Sequence, residues 1–282
     1  MSNLRRLDPS ASPLDYFGSE LRRRREEAGL TQGDLGSAIF CTGSLVGQIE
    51  TGNKVPTREF AERLDAALMT DGLFSRLVGL VLRSQLPSWF QPFVEMEAKA
   101  VYIASYQAQV VYGLLQTEAY ARALLSVGQP DRIDEMVAAR MERQRVLLRD
   151  QPPVLCVVLD EAVLHREVGG PKVMCDQLAH LLGCFDKPET VLQVLPYSAG
   201  QHTGMIGAFT LLRFDSDPDL FYAEGYDSAH MTANSQVIRE RVLGYARLQA
   251  AALSAEDSAA LIGRMMEERY ERHPGSGGVA VA

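Results

Sequence analysis

The stretch TQGDLGSAIFCTGSLVGQIETG, Thr31 to Gly52, constrains the chain more than any other. It holds two short runs of helical spacing separated by only a few residues. Thr31 and Thr42 stand where an N-cap belongs, each with a hydroxyl able to accept from a backbone N–H two or three residues on. Asp34 favours the positive end of the first run. Leu35, Ala38 and Ile39 form the inner face of that run, Phe40 and Cys41 the turn, and Val46 and Ile49 the inner face of the second, which stops at Gly52. Small residues, Gly43, Ser44 and Gly47, occupy positions where a surface helix usually carries long side chains.

Flanking elements brace this pair. Phe17 and Leu21 mark an amphipathic helix that ends at Gly29, and Pro56-Thr57 introduces a fourth helix with Phe60, Leu64, Ala67 and Leu68 on one face. Two helices joined by a tight turn and supported in this way make a helix-turn-helix. A helix of about 10 to 12 Å diameter fits a major groove of similar width, and small residues at its start let its backbone come close to DNA.

At 282 residues the length suits about two domains. The expected fold class is α+β: an N-terminal all-α helix-turn-helix domain, then a larger domain of mixed β-sheet with packed helices. The expected divisions are a flexible arm over 1–15, the helical domain over 16–86, the larger domain over 87–272 and a flexible tail over 273–282. The break is PSWFQPF, whose two prolines interrupt the helical pattern. Beyond it, AVYIASYQAQVV, LCVVLDEAVL, TVLQVLPY, AFTLLRF and LFYAEG read as strands, and 117–125, 133–148, 173–185, 235–253 and 255–270 as helices.

The net charge of −8 argues at first against nucleic acid, but the first 86 residues hold eleven charges of each sign, so the excess lies in the remainder. Arg22 to Arg25 are either a phosphate-facing patch or a solvated helix face. No apolar run reaches the roughly 20 residues of a membrane span, and no apolar block follows the first basic residues, so a cytoplasmic protein without a membrane partner is expected. Cys41, Cys156, Cys175 and Cys184 show no CxxC pair and read as reduced, buried thiols. Cys175, His180 and Cys184 lack zinc spacing, so no metal and no cofactor is assigned.

Residues 17–72, with LRRRREEAGLTQGDL and TGSLVGQIETGNKVPT, resemble the lambda-repressor-like (XRE family) DNA-binding domain. The resemblance implies that Gln32, Asn53 and Lys54 touch phosphates, that Ser44, Leu45 and Gln48 face base edges, and that Thr42 both caps and approaches the DNA backbone, with Gly43 and Gly47 alongside. No Arg or Lys lies between Thr42 and Thr51, where family members often carry one. Cationic contacts supply most non-specific binding, so a monomer binds modestly and a homodimer on double-stranded DNA is expected. Glu50 is expected to bond within the domain rather than face phosphates.

Residues 97–270 resemble the uncharacterised carboxy-terminal domain of actinobacterial WhiJ-like regulators, through stretches such as LDEAVLHREVGGPKVMCDQLAHLL and VLQVLPYSAGQHTGMIGAFTLLRF. That resemblance implies a small companion protein, encoded nearby, in an antitoxin-like arrangement. The residues themselves assign no catalytic group: Asp160, Glu161, His165 and Glu167 cluster at a strand end, without a nucleophile motif beside them. The loop PYSAGQHTGMIGAF is a plain hairpin connection or a ligand or partner contact through Gly200, Gln201, His202 and Gly204. Arg140, Arg143 and Arg145, with Gln144, form either an acceptor-binding face or a solvated helix.

Overall fold

The computed structural model describes residues 8–128, 132–225 and 228–271. The tail expected over 273–282 lies outside them, as do residues 1–7 of the arm. The chain divides into two compact units: residues up to Gln91 together with Asp134–Glu142, and Pro92–Ile133 with the chain from Arg143 onward. None of the described helices is long and apolar enough to cross a membrane.

The first unit is helical. Helix α1 (Pro13–Glu27) starts inside the stretch expected to be an arm, because Ser12 accepts from the Asp15 N–H, Pro13 needs no N–H in the first turn, and Asp15 favours the positive end. Then come α2 (Gln32–Ala38), α3 (Gly43–Glu50), α4 (Arg58–Leu68) and α5 (Leu73–Ser84). Phe17, Leu21, Leu35, Ile39, Val46, Ile49, Phe60, Leu64, Phe74 and Val78 form one core. Ala38, expected inside, is exposed, and the buried small residue on that helix is Gly36.

Helices α1, α2 and α3 end in one way. The residues after their C-caps, Gly29, Phe40 and Gly52, have φ of 71°, 58° and 67°. The following N–H reaches back to the carbonyl five residues earlier: Leu30 to Arg25, Cys41 to Gly36, Asn53 to Gln48. This is the Schellman arrangement, in which glycine is the unstrained choice. Phe40 adopts it at a steric cost of about 1–2 kcal/mol while its ring stays exposed.

Two helical elements depart from the expectation, one lying in the second unit apart from its Gln91 and the other largely in the first. The break region contributes α6 (Gln91–Glu97), for Pro92 sits at its second position, where no N–H is needed. The run over 133–148 splits into α8 (Ile133–Arg143) and a 3-10 segment (Gln144–Leu148), and Ala138 of α8 packs on the first unit's core.

The second unit is built on a mixed six-stranded sheet of β1 (Tyr102–Gln107), β2 (Val154–Asp160), β3 (Thr190–Leu195), β4 (Phe209–Arg213), β5 (Leu220–Glu224) and β6 (Ala229–Thr232), in the order β3-β2-β1-β4-β5-β6. The strands β1, β2 and β3 are parallel; β4, β5 and β6 continue from β1 as antiparallel neighbours. The crossovers carry α7 (Glu118–Leu125), α9 (Glu161–His165) and α10 (Pro171–Leu182), and the chain closes with α11 (Ser235–Ala251) and α12 (Ala255–Met265). Strand β6 is a short polar edge without the apolar alternation by which strands are recognised. Helix α11 covers one sheet face, where Ile238, Tyr245 and Leu248 meet Ala104, Tyr106, Cys156, Val158, Phe209 and Leu211.

Arg143 and Gln144 belong to neither a solvated face nor an acceptor site. Arg143 is buried against Glu97, which also accepts from the Tyr112 hydroxyl at 2.6 Å, and Gln144 donates to the Gly113 and Gln116 carbonyls. These bonds tie the end of α6 to the segment that leads into α7.

The α4–α5 corner yields a stability prediction. The N-cap Gly72 has no side chain to offer α5, and Asp65 of α4 substitutes: its carboxylate accepts from the Thr70 hydroxyl (2.5 Å) and from the Phe74 and Ser75 N–H groups (2.9 and 2.8 Å). Burial pushes the Asp65 carboxyl up, but these bonds outweigh it and hold the pKa below the usual value. Asp65→Ala should cost about 1–2 kcal/mol at neutral pH. A depressed folded pKa gives stability that is complete above the unfolded value of about 3.9 and is lost as pH falls through the folded one. Urea unfolding should therefore show the gap between wild type and variant narrowing below pH 4; a gap that widens in acid contradicts the assignment.

Candidate nucleic-acid interface

The α2–α3 pair is set by glycines and one buried carboxylate. A Cβ on Gly36 would lie 2.8 Å from the Gly43 nitrogen and 2.9 Å from the Cys41 oxygen, so only glycine fits where the turn closes over α2. A Cβ on Gly43 would lie 3.0 Å from the Gly33 backbone, and one on Gly47 would lie 2.9 Å from the Gln32 side chain. The bare sides of Gly43 and Gly47 thus face α2. Close packing of the two helices, not room for a duplex, accounts for their lack of side chains.

Glu50, at the end of α3, is fully buried. Its carboxylate accepts from Arg25 Nε at 2.5 Å and Nη2 at 3.1 Å, and from the Gln32 amide at 2.8 Å, with Arg22 Nε at 3.7 Å. It thereby joins α1, α2 and α3, within the domain as expected from its sign. Arg23 and Arg24 pair with Glu20 and Glu27 on α1 itself. Arg23, Arg24 and Arg25 are thus paired within the domain, whereas Arg22 Nη2 is buried without a partner among the described residues.

What α3 leaves outward is small and polar. Thr42 caps it, its hydroxyl accepting from the Leu45 N–H at 3.2 Å. Ser44 and Gln48 are exposed one turn apart, and Leu45 is half-buried against the core. Gln32 is half-buried and held by Glu50, so its amide is committed inside the domain. Asn53 is exposed and donates to the Thr51 hydroxyl at 2.9 Å. Lys54 lies 3.3 Å from Asp134 of α8, while Arg58 at the start of α4 pairs with Glu142 at the other end of α8. The order of α8 in the sequence gives no sign of this attachment; the acids three and eleven residues into the segment after 131 are its only trace.

Residues 17–75 match the family model of a helix-turn-helix domain. Residues 90–264, more than half of the chain, match the model described as Domain of unknown function (DUF5753). The chain belongs to the DUF5753 family. No curated protein and no solved structure matches it. A helix-turn-helix domain is a DNA-binding module, so this DUF5753 chain reads as a DNA-binding regulator whose first unit carries the contact surface.

The DUF5753 region has a second side-chain cluster, created by topology. Since β3 lies at one edge and β4 pairs with β1, the connection over 196–208 must pass the carboxyl ends of β2 and β1. It thereby brings His202 to Asp160 at the end of β2, with Nε2 3.8 Å from the carboxylate, and both to Tyr106 of β1, whose hydroxyl donates to Asp160 at 3.0 Å. The Asp160 carboxylate also caps α9 through the Ala162 N–H at 2.9 Å. His202 Nδ1 is buried without a partner among the described residues. Gly204 lies so close on the Tyr106 ring that no Cβ could be added, whereas Gly200 faces open space and Gln201 is exposed.

Glu161 and His165 pair with each other at 3.3 Å on one turn of α9, and Glu161 also accepts from the Tyr197 N–H at 2.8 Å. Arg269 approaches His165 Nδ1 at 3.3 Å. Asp160 and Glu161 therefore hold the Gly-rich connection down, and the Tyr197 ring lies beside that of His165, 5.4 Å between centres. Tyr106, absent from the sequence-derived site, could have been found only from the pairing of β1 with β2.

Removing one partner of a buried, paired charge costs about 3–5 kcal/mol. Glu50→Ala should destabilise the first unit by that order and loosen α2 and α3 together, read as lost amide-exchange protection from Gln32 to Glu50. A loss below about 1 kcal/mol contradicts the role given to this carboxylate.

Proposed function

We propose that the chain is a sequence-specific transcriptional regulator of the lambda-repressor-like (XRE) type that binds double-stranded DNA in the cytoplasm as a homodimer. Helix α3 lies in the major groove, and the second unit dimerises and receives a signal rather than catalysing a reaction. The observation that carries this reading is the outward face of α3: Ser44 and Gln48 are exposed on a capped helix whose opposite face is fixed to α2 and the core. A glutamine so placed makes paired hydrogen bonds to an adenine edge. Thr42, Gly43 and Asn53 lie where the backbone of the duplex passes, and Leu45 offers a methyl group to thymine from the rim of the core. Gly47 and Gln32 support the reading indirectly, by setting the angle at which α3 stands on α2.

A second reading, an antitoxin-like module that captures a small companion protein, draws on the acidic excess beyond residue 86. Co-purification of a small basic protein from the source cell favours it.

Gln48→Ala should leave the fold intact and relax preference at one base position by about 1–3 kcal/mol, measured by competition among single-base operator variants. Unchanged preference counts against base readout by α3. Lys54→Ala should weaken binding to all sequences alike and lower the salt slope by about one per subunit. A sequence-dependent loss contradicts phosphate contact. Since Lys54 faces Asp134 in the free protein, DNA must displace or share that carboxylate.

A further inference from the structure

Between α11 and the strands β1 and β4 lies a cavity of about 210 Å³. Ala104 and Leu211 form its floor, and Val242, Tyr245 and Ala246 its helical wall; Tyr102, Arg213 and Gln249 close one end. It opens to solvent on the side of Arg213 and Ala246, both exposed. Here alanines stand on both facing elements, where larger side chains would meet, and the Tyr245 ring is pinned by its hydroxyl donating to the Cys156 carbonyl at 2.8 Å.

The polar end is specific. The Arg213 guanidinium lies over the Tyr102 ring, 5.2 Å from its centre. Its only acidic partner among the described residues is Asp219, 3.7 Å from Nε, and its terminal nitrogens have no acceptor there. The Gln249 amide makes no hydrogen bond among the described residues and offers both a donor and an acceptor. Burial and the hydrogen bond with Cys156 push the Tyr102 phenol up to about 12.

Size and lining together define a ligand class. A cavity of roughly 150 Å³ is enough to take up benzene, while drug-sized ligands occupy about 300–1,000 Å³. The space here therefore holds one ring with a short substituent and excludes a nucleotide or a long acyl chain. Aromatic and aliphatic walls suit an aromatic ring. One guanidinium, already near an aspartate, suits a monoanion better than a phosphate dianion, and planar bidentate pairing is what arginine offers a carboxylate. We propose that the second unit binds a single-ring aromatic carboxylate in this cavity, its acid group on Arg213 and its ring between Leu211 and Tyr245. The site gives the sensing role proposed above a ligand class, and its test is made without DNA, so that failure here leaves the DNA reading standing and the reverse.

The experiment titrates the full chain with benzoate and with its uncharged counterpart benzamide, by calorimetry and by NMR. Benzoate should bind at least about tenfold more tightly than benzamide in the wild type. Arg213→Met, at a half-exposed position, should erase that difference, and Ala246→Trp, at an exposed position facing the cavity, should abolish binding of both. Failure of benzoate to bind, equal affinity for the two probes, or binding untouched by Ala246→Trp overturns the proposal. If the tryptophan variant folds poorly, benzoate-induced shifts confined to Tyr102, Leu211 and Tyr245 in the wild type support the site, and shifts elsewhere overturn it.

Discussion

One carboxylate determines how the first unit presents its surface. Glu50 is out of water, and a charge in that position is tolerable only with partners of good geometry. Arg25 from α1 and the Gln32 amide from α2 supply them, so three helices are fixed relative to one another through a single group. The glycines act in the same direction. Gly36 and Gly43 let backbone meet backbone where α2 and α3 approach, Gly47 leaves space for the Gln32 side chain, and the outward direction of α3 follows from those contacts. Ser44 and Gln48 then point away from the core because Val46 and Ile49 must point into it.

The second unit follows from a different constraint. Three parallel strands wind toward one edge, and the chain must return from β3 to pair β4 with β1. The return path lies across the carboxyl ends of β1 and β2, the usual position for polar groups in parallel sheets. Asp160 and Glu161 serve there as anchors, accepting from Tyr106 and from the Tyr197 N–H, and His202 is drawn in beside them. The opposite end of β1 is where α11 leaves room above the sheet. An open cavity thus forms away from the crowded connection.

Local signals made much of this legible in the sequence. The caps Thr31 and Thr42 and the stop at Gly52 carry their own chemistry, and five strands have apolar runs that only burial explains. Ser12-Pro13 was an equally clear helix start, obscured by the irregular residues before it. Other features depended on distant contacts. Nothing adjacent to Gly43 announces Gly33 as its neighbour, so small size there reads as room for a ligand until the fold supplies the packing reason. Arg143 gives the same lesson, since a run of arginines on a helix reads as solvated until Glu97 is found beneath one of them. The attachment of α8 to the first unit, and the meeting of His202 with Asp160, are consequences of topology and have no local code.

The central claim is that the outward face of α3 reads base edges. Selection of bound duplexes from a random library by the full chain tests it most directly. The account predicts an enriched pseudo-palindrome whose half-sites lie a whole number of helical turns apart, about 10 to 10.5 base pairs or a multiple, with adenine or thymine prominent at the contacted positions. Recovery of duplexes without any shared sequence, at affinities that depend on salt alone, would contradict it.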